Sequence, residues 1–179
     1  MKTWALVGGI VLTIGRVTTA GAEPGRRLEL SASLLAGVGV SGRFQDSTQV
    51  HYGLGYGGRA GVTLPARLYV GASFVHFRGS DSRSNHVYTN TLDAELGYEF
   101  RLLRDLIAIR PQLALGLAQA VTIQSDNAGY PLALHAAPGV WLALRLRPLL
   151  ISAEARRDFV FDDSWPNATT LLLGVGVVF

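Results

Sequence analysis

The chain has 179 residues, a formal net charge of +3 and no cysteine. That length suits one domain, and the lack of cysteine excludes a disulfide framework, cysteine zinc ligands and a thiol nucleophile. The hydrophobic fraction is 49%, yet after residue 22 no apolar run approaches the length of a transmembrane helix.

The first residues have the layout of a secretory signal peptide: Lys2, an apolar stretch from Trp4 to Ile14, and Ala20-Gly21-Ala22 as an A-x-A cleavage site. The stretch is too short to span a bilayer, and Arg16 interrupts any extension. Residues 1–22 therefore read as a cleaved signal peptide and 23–179 as one exported domain. Without Lys2 and Arg16, 14 of the 16 basic residues remain, all arginine, against 13 acids. The mature charge is then near neutral, and no basic stripe marks a nucleic-acid partner.

From residue 27 onward the period is two. The first segment, Arg27 to Phe44, puts Leu28, Leu30, Ala32, Leu34, Ala36, Val38 and Val40 on one face. The second, "VHYGLGYGGRAGVTL" (50–64), puts Val50, Tyr52, Leu54, Tyr56, Ala60, Val62 and Leu64 opposite a face of Gly, His51, Arg59 and Thr63. Strand side chains alternate faces, and a helical recurrence at three and four is missing. The third segment, Leu68 to Arg78, carries Leu68, Val70, Ala72 and Phe74 on its apolar face. The fourth, Val87 to Leu102, contains "LDAELGYEF", where Leu92, Ala94, Leu96, Tyr98 and Phe100 alternate with Asp93, Glu95 and Glu99. The fifth (Leu106 to Gln124), sixth (Leu132 to Arg147), seventh (Leu149 to Phe161) and eighth (Ala168 to Phe179) repeat the pattern. Pro111 and Pro138 fall inside the fifth and sixth. Proline cannot donate to a ladder, so each predicts a bulge or a strand end, which leaves the facing of Trp141 open.

Short turns at 65–67, 103–105 and 147–148 alternate with longer polar loops at 45–49, 79–86, 125–131 and 162–167. A soluble sandwich exposes a polar face on each strand. Here that face is mostly Gly, Ala and Ser, as suits a narrow barrel, and the other face forms a continuous apolar band of the kind lipid requires. The pattern predicts an all-β fold: an eight-stranded antiparallel up-and-down transmembrane β-barrel.

The chain resembles the small bacterial outer-membrane barrels, the OmpA transmembrane domain and OmpX type. The resemblance covers the signal peptide and the whole mature chain. Its most specific element is the terminal "LLLGVGVVF", whose last residue, Phe179, looks like that family's C-terminal assembly signal. The resemblance implies the bacterial outer membrane as location, with outer-membrane lipids, lipopolysaccharide and the barrel-assembly machinery as partners. It also implies a monomer and no nucleic acid.

With the apolar face toward lipid, the interior receives Glu29, Asp93, Glu95, Glu99, Glu154 and Asp158, and with them Arg59, Arg101, Arg110, Arg145 and Arg156, with His51 and His135 nearby. Six acids against five arginines predict ion pairs, because an unpaired buried charge costs several kcal/mol. Glu95, Arg59 and Arg110 are expected at mid-depth, and Glu99 with Arg101 and Arg145 nearer the short turns. The paired arginines disfavour a bound cation, so no metal, cofactor or catalytic residue is assigned.

Resemblance to lipid-modifying barrels is partial. The lipid A deacylases carry a Ser two residues after the catalytic His, but His135 is followed by Ala137. His51 and the pair Asp81-Ser82 match the palmitoyltransferases only in order, and "EPGRRLEL" is too short for their amphipathic helix. The outer loops, with Asp46, Asp81, Asp126, Asp162 and Asp163, are acidic and short. The resulting expectation is a non-enzymatic envelope-structural or surface-interaction protein, with a small gated pore as the alternative and lipid A modification third.

Overall fold

The computed structural model describes residues 28–41, 50–81, 86–122, 132–161 and 167–179. The strands are β1 (Glu29–Ser41), β2 (Val50–Thr63), β3 (Leu68–Asp81), β4 (His86–Tyr98), β5 (Phe100–Leu102), β6 (Ile107–Thr122), β7 (Ala133–Leu146), β8 (Leu149–Val160) and β9 (Ala168–Val178). β4 and β5 are one strand interrupted at Glu99. Neighbours in sequence pair antiparallel around the sheet, and β1 pairs with β9. The sheet thus closes as an eight-stranded barrel without an open edge. The predicted signal peptide and the loop residues Asp46, Ser82, Asp126, Tyr130, Asp162, Asp163 and Trp165 lie outside the described residues, as do the side chains of His51 and Asp81.

Alternation carries the apolar residues outward. Leu34, Leu92, Leu115, Leu142, Leu173 and Val175 are exposed, whereas Asp93, Glu95, Arg110, Glu154 and Arg156 are buried. Aromatic rings mark both margins of the outer wall. Tyr98 and Phe100 meet edge to face at 5.0 Å near the short turns. Toward the long loops, His76 lies 5.1 Å from Tyr56 and 5.5 Å from Tyr88 between ring centroids. Phe179 is exposed on the face of Val175 and Val177, and its backbone exchanges hydrogen bonds of 2.9 and 3.1 Å with Leu30.

The prolines produce no bulge. Pro111 pairs with Val140, and Pro138 with Leu113, in one unbroken β6–β7 register. In an antiparallel ladder a residue bonds to one neighbour only, so a proline removes pairing on one side and leaves the other intact. On the other side the ladder to the fourth strand lapses at Pro111 and Arg110, opposite Tyr98 and the strand break at Glu99, with the same register resuming beyond it, Gly97↔Gln112 before and Phe100↔Ile109 after. The β7–β8 ladder likewise skips Pro138 between Ala136↔Phe159 and Gly139↔Arg156. Parity is kept, and Trp141 points inward.

The bulge lies elsewhere. The β2–β3 register shifts between His51 and Leu54, where Gly53 has φ +69°. A β-carbon there would sit 2.1 Å from the Arg78 carbonyl oxygen, so glycine is required. The extra residue reverses facing. Tyr52, expected outside with Leu54, is 3% exposed and turns inward, while Leu54 is 71% exposed.

Candidate functional site in the barrel interior

The inward side chains form tiers. At the short-turn end, Glu29 and Glu99 gather arginines from three segments. Arg101 donates to Glu99 at 2.7 Å and to Glu29 at 2.5 Å. Arg145 donates to Glu99 at 2.6 Å and to Glu29 at 2.5 Å. Arg147, a turn residue not assigned to the interior from the sequence, also donates to Glu29. Its link was unreadable because only the barrel's curvature brings the 147–148 turn over the start of β1.

At mid-depth, Arg59 donates from Nε and Nη2 to Glu95 Oε1 at 3.1 and 2.9 Å, and from Nη2 to Glu154 as well. Ser73 donates to Glu95 at 2.7 Å and Gln112 to Glu154 at 2.8 Å. These neutral donors occupy carboxylate lone pairs that a single guanidinium leaves over.

Arg110 corrects the expectation of an ion pair. It is 1% exposed, and no carboxylate among the described residues pairs with it. Its guanidinium lies 3.4 Å from the Tyr69 ring centroid and 4.0 Å from that of Trp141, and Nε donates to Gln112 at 2.9 Å. The π faces supply the compensating negative potential. Glycines make room for this stack. A β-carbon on Gly61 or Gly71 would lie 2.4 or 2.2 Å from the Tyr69 hydroxyl oxygen, and one on Gly97 would lie 2.9 Å from Arg110 Cγ. Gly61→Val is therefore expected to cost about 1–3 kcal/mol through overpacking, measured as a lower urea midpoint of the folded barrel; an unchanged midpoint would refute the constraint. Tyr69, Ser73 and Gln112 were legible by parity, but only the charged inward positions stand out in the sequence.

The next tier joins Asp93, His135, Arg156 and Asp158. Arg156 donates to Asp93 at 3.1 Å, and its Nε lies 3.3 Å from Asp158. His135 Nε2 lies 2.5 Å from Asp93 Oδ1 without hydrogen-bond alignment, and Thr170 donates to Asp158. Above it the interior changes character. Tyr52, Phe77 and Val87 lie toward the long loops, in one buried apolar cluster with Val75, Leu35 and Leu172, the last of which pairs with Glu154 at mid-depth. The expectation of a charged interior therefore holds only up to the Asp158 tier. Inward apolar residues also occur at the short-turn end, where Leu150 clusters with Ala108, Trp141 and Ala143.

Neither a protein-family model nor a curated protein sequence matches the chain. Solved structures do. Neisserial surface protein A aligns with TM-score 0.63 at 14% identity over 85% of this chain and 97% of that one. Ail, the attachment invasion locus protein of Yersinia pestis, aligns with TM-score 0.61 at 17% identity over 86% and 99%. The N-terminal β-barrel domain of Pseudomonas aeruginosa OprF aligns with TM-score 0.55 at 20% identity over 84% and 97%. The chain has the fold of the small eight-stranded outer-membrane barrels.

Proposed function

We propose that the chain is an exported, monomeric, integral protein of the bacterial outer membrane with a non-enzymatic role in envelope structure or surface interaction. The observation that carries this reading is the inversion of burial: charge is sealed inside while leucine, valine and phenylalanine cover the outside. In water so large an exposed apolar surface would drive association, whereas a bilayer requires it. The aromatic margins suit the two membrane interfaces, and Phe179 suits an assembly signal at the inner one. The surface role is supported by likeness to Neisserial surface protein A and Ail. Residues 1–22 would be removed on export.

The gated pore is the second reading, favoured by the polar tiers that run from Glu29 through Arg59 to Asp158. Toward the long loops Tyr52 and Phe77 pack together in the apolar cluster, so conduction would require them to part as well as the ion pairs. The purified barrel in planar bilayers is expected to stay silent over a wide voltage range. Sustained discrete conductance, altered in Glu95→Ala, would replace the structural reading with the pore.

A further inference from the structure

The short-turn end carries a feature that the ion-pair plug does not use. The turn after β5 places Leu103, Arg104 and Asp105 at φ 50°, 56° and 69°. Three successive left-handed residues, none of them glycine, are disfavoured by their β-carbons. Such a conformation persists only where its surroundings fix it, and it is a pointer to function. The turn forms one wall of an open cleft of about 320 Å³ lined by Arg104, Asp105, Leu106, Arg145 and Arg147.

Three guanidinium groups thus border one cavity. Arg145 is buried, and its Nε has no hydrogen-bond partner among the described residues. Arg147 is exposed and reaches Glu29 through one nitrogen. Arg104 is exposed and makes no ion pair among the described residues. The cleft's own carboxylate, Asp105, lies 4.0 Å from Arg101. Counting the groups behind it, Arg101, Arg104, Arg145 and Arg147 face Glu29, Glu99 and Asp105, which leaves a cationic excess. Guanidinium forks match phosphate oxygens. Beside the cleft the apolar wall continues: Leu102, Leu103 and Leu146 are all exposed. A ligand that fits both surfaces is charged at one end and aliphatic at the other.

We propose that this cleft binds the phosphate of an anionic phospholipid headgroup from the membrane leaflet at the short-turn end, with its acyl chains along the adjoining leucines. The proposal rests on the membrane reading above. Arg104 and Arg147 grip the phosphate from the rim, and the buried Arg145 adds its charge from beneath.

The test is native mass spectrometry of the refolded full-length barrel from micelles doped with phosphatidylglycerol or phosphatidylcholine, with glycerol 3-phosphate as the free phosphate ester. The wild type is expected to retain phosphatidylglycerol preferentially. R104Q and R147Q are each expected to lower that retention about fivefold, the usual worth of one arginine near an anionic lipid surface. R67Q, which changes the same charge outside the cleft, is expected to leave retention unchanged. Equal retention of the two lipids would overturn the proposal. So would an equal loss in R67Q, which would mean diffuse attraction, or binding of glycerol 3-phosphate without lipid preference, which would mean a free phosphate ester. Heat-modifiable gel mobility of the same samples separates these outcomes from failure of the barrel itself.

Discussion

Arg59→Ala is expected to destabilise the folded barrel by about 3–5 kcal/mol, because it leaves two buried carboxylates without their shared cation. Glu95 would keep Ser73 and Glu154 would keep Gln112, but a neutral donor does not offset a full charge in a site closed to solvent. The loss would appear in urea titrations of the protein in lipid vesicles as a large fall in midpoint with little change in slope. A companion variant, Arg59→Met with Glu95→Leu and Glu154→Leu, removes the charges together. It is expected to recover much of the stability, since apolar replacement of a whole buried ion cluster is often neutral. If Arg59→Ala cost under about 1 kcal/mol, the value of an exposed ion pair, the trio would not be a buried plug.

Leu115→Arg is the second large expectation, and it examines the outside. Leu115 is exposed, lies near the middle of β6, and stands between Ala94 and Ala136 on its neighbours. At the midplane of a bilayer an arginine on the lipid face costs about 2–4 kcal/mol, whereas near an interface it costs about 0–1. On a water-exposed surface the same change would lie within about 0.5 kcal/mol. Leu103→Arg, at the turn margin, is the matching shallow control. Equal small effects at both sites would mean that the apolar wall does not face hydrocarbon.

The outer wall was legible in the sequence because one physical demand, an apolar contact at every second residue, is written at nearly every strand position. The inside follows weaker rules. Tyr52 reversed because the bulge at Gly53 is chemically indistinct from the glycines around it, and only its φ and the Arg78 carbonyl mark it out. Pro111 and Pro138 looked disruptive, but each removes pairing on one side only, so facing beyond them survives. The near balance of acids and arginines suggested pairing without saying which partners meet. Arg147 and His135 join the carboxylates, and Arg110 is left to two aromatic rings. A charge count carries no information on curvature, and curvature decides which residues face one another across the lumen.

The central claim is a closed barrel that is stable in a membrane. It is tested most directly by gel mobility of the membrane-inserted protein with and without boiling. Two positions are expected, a folded band in the unboiled sample and an unfolded band at the chain's full mass after heating. A single position, unchanged by boiling, would contradict it.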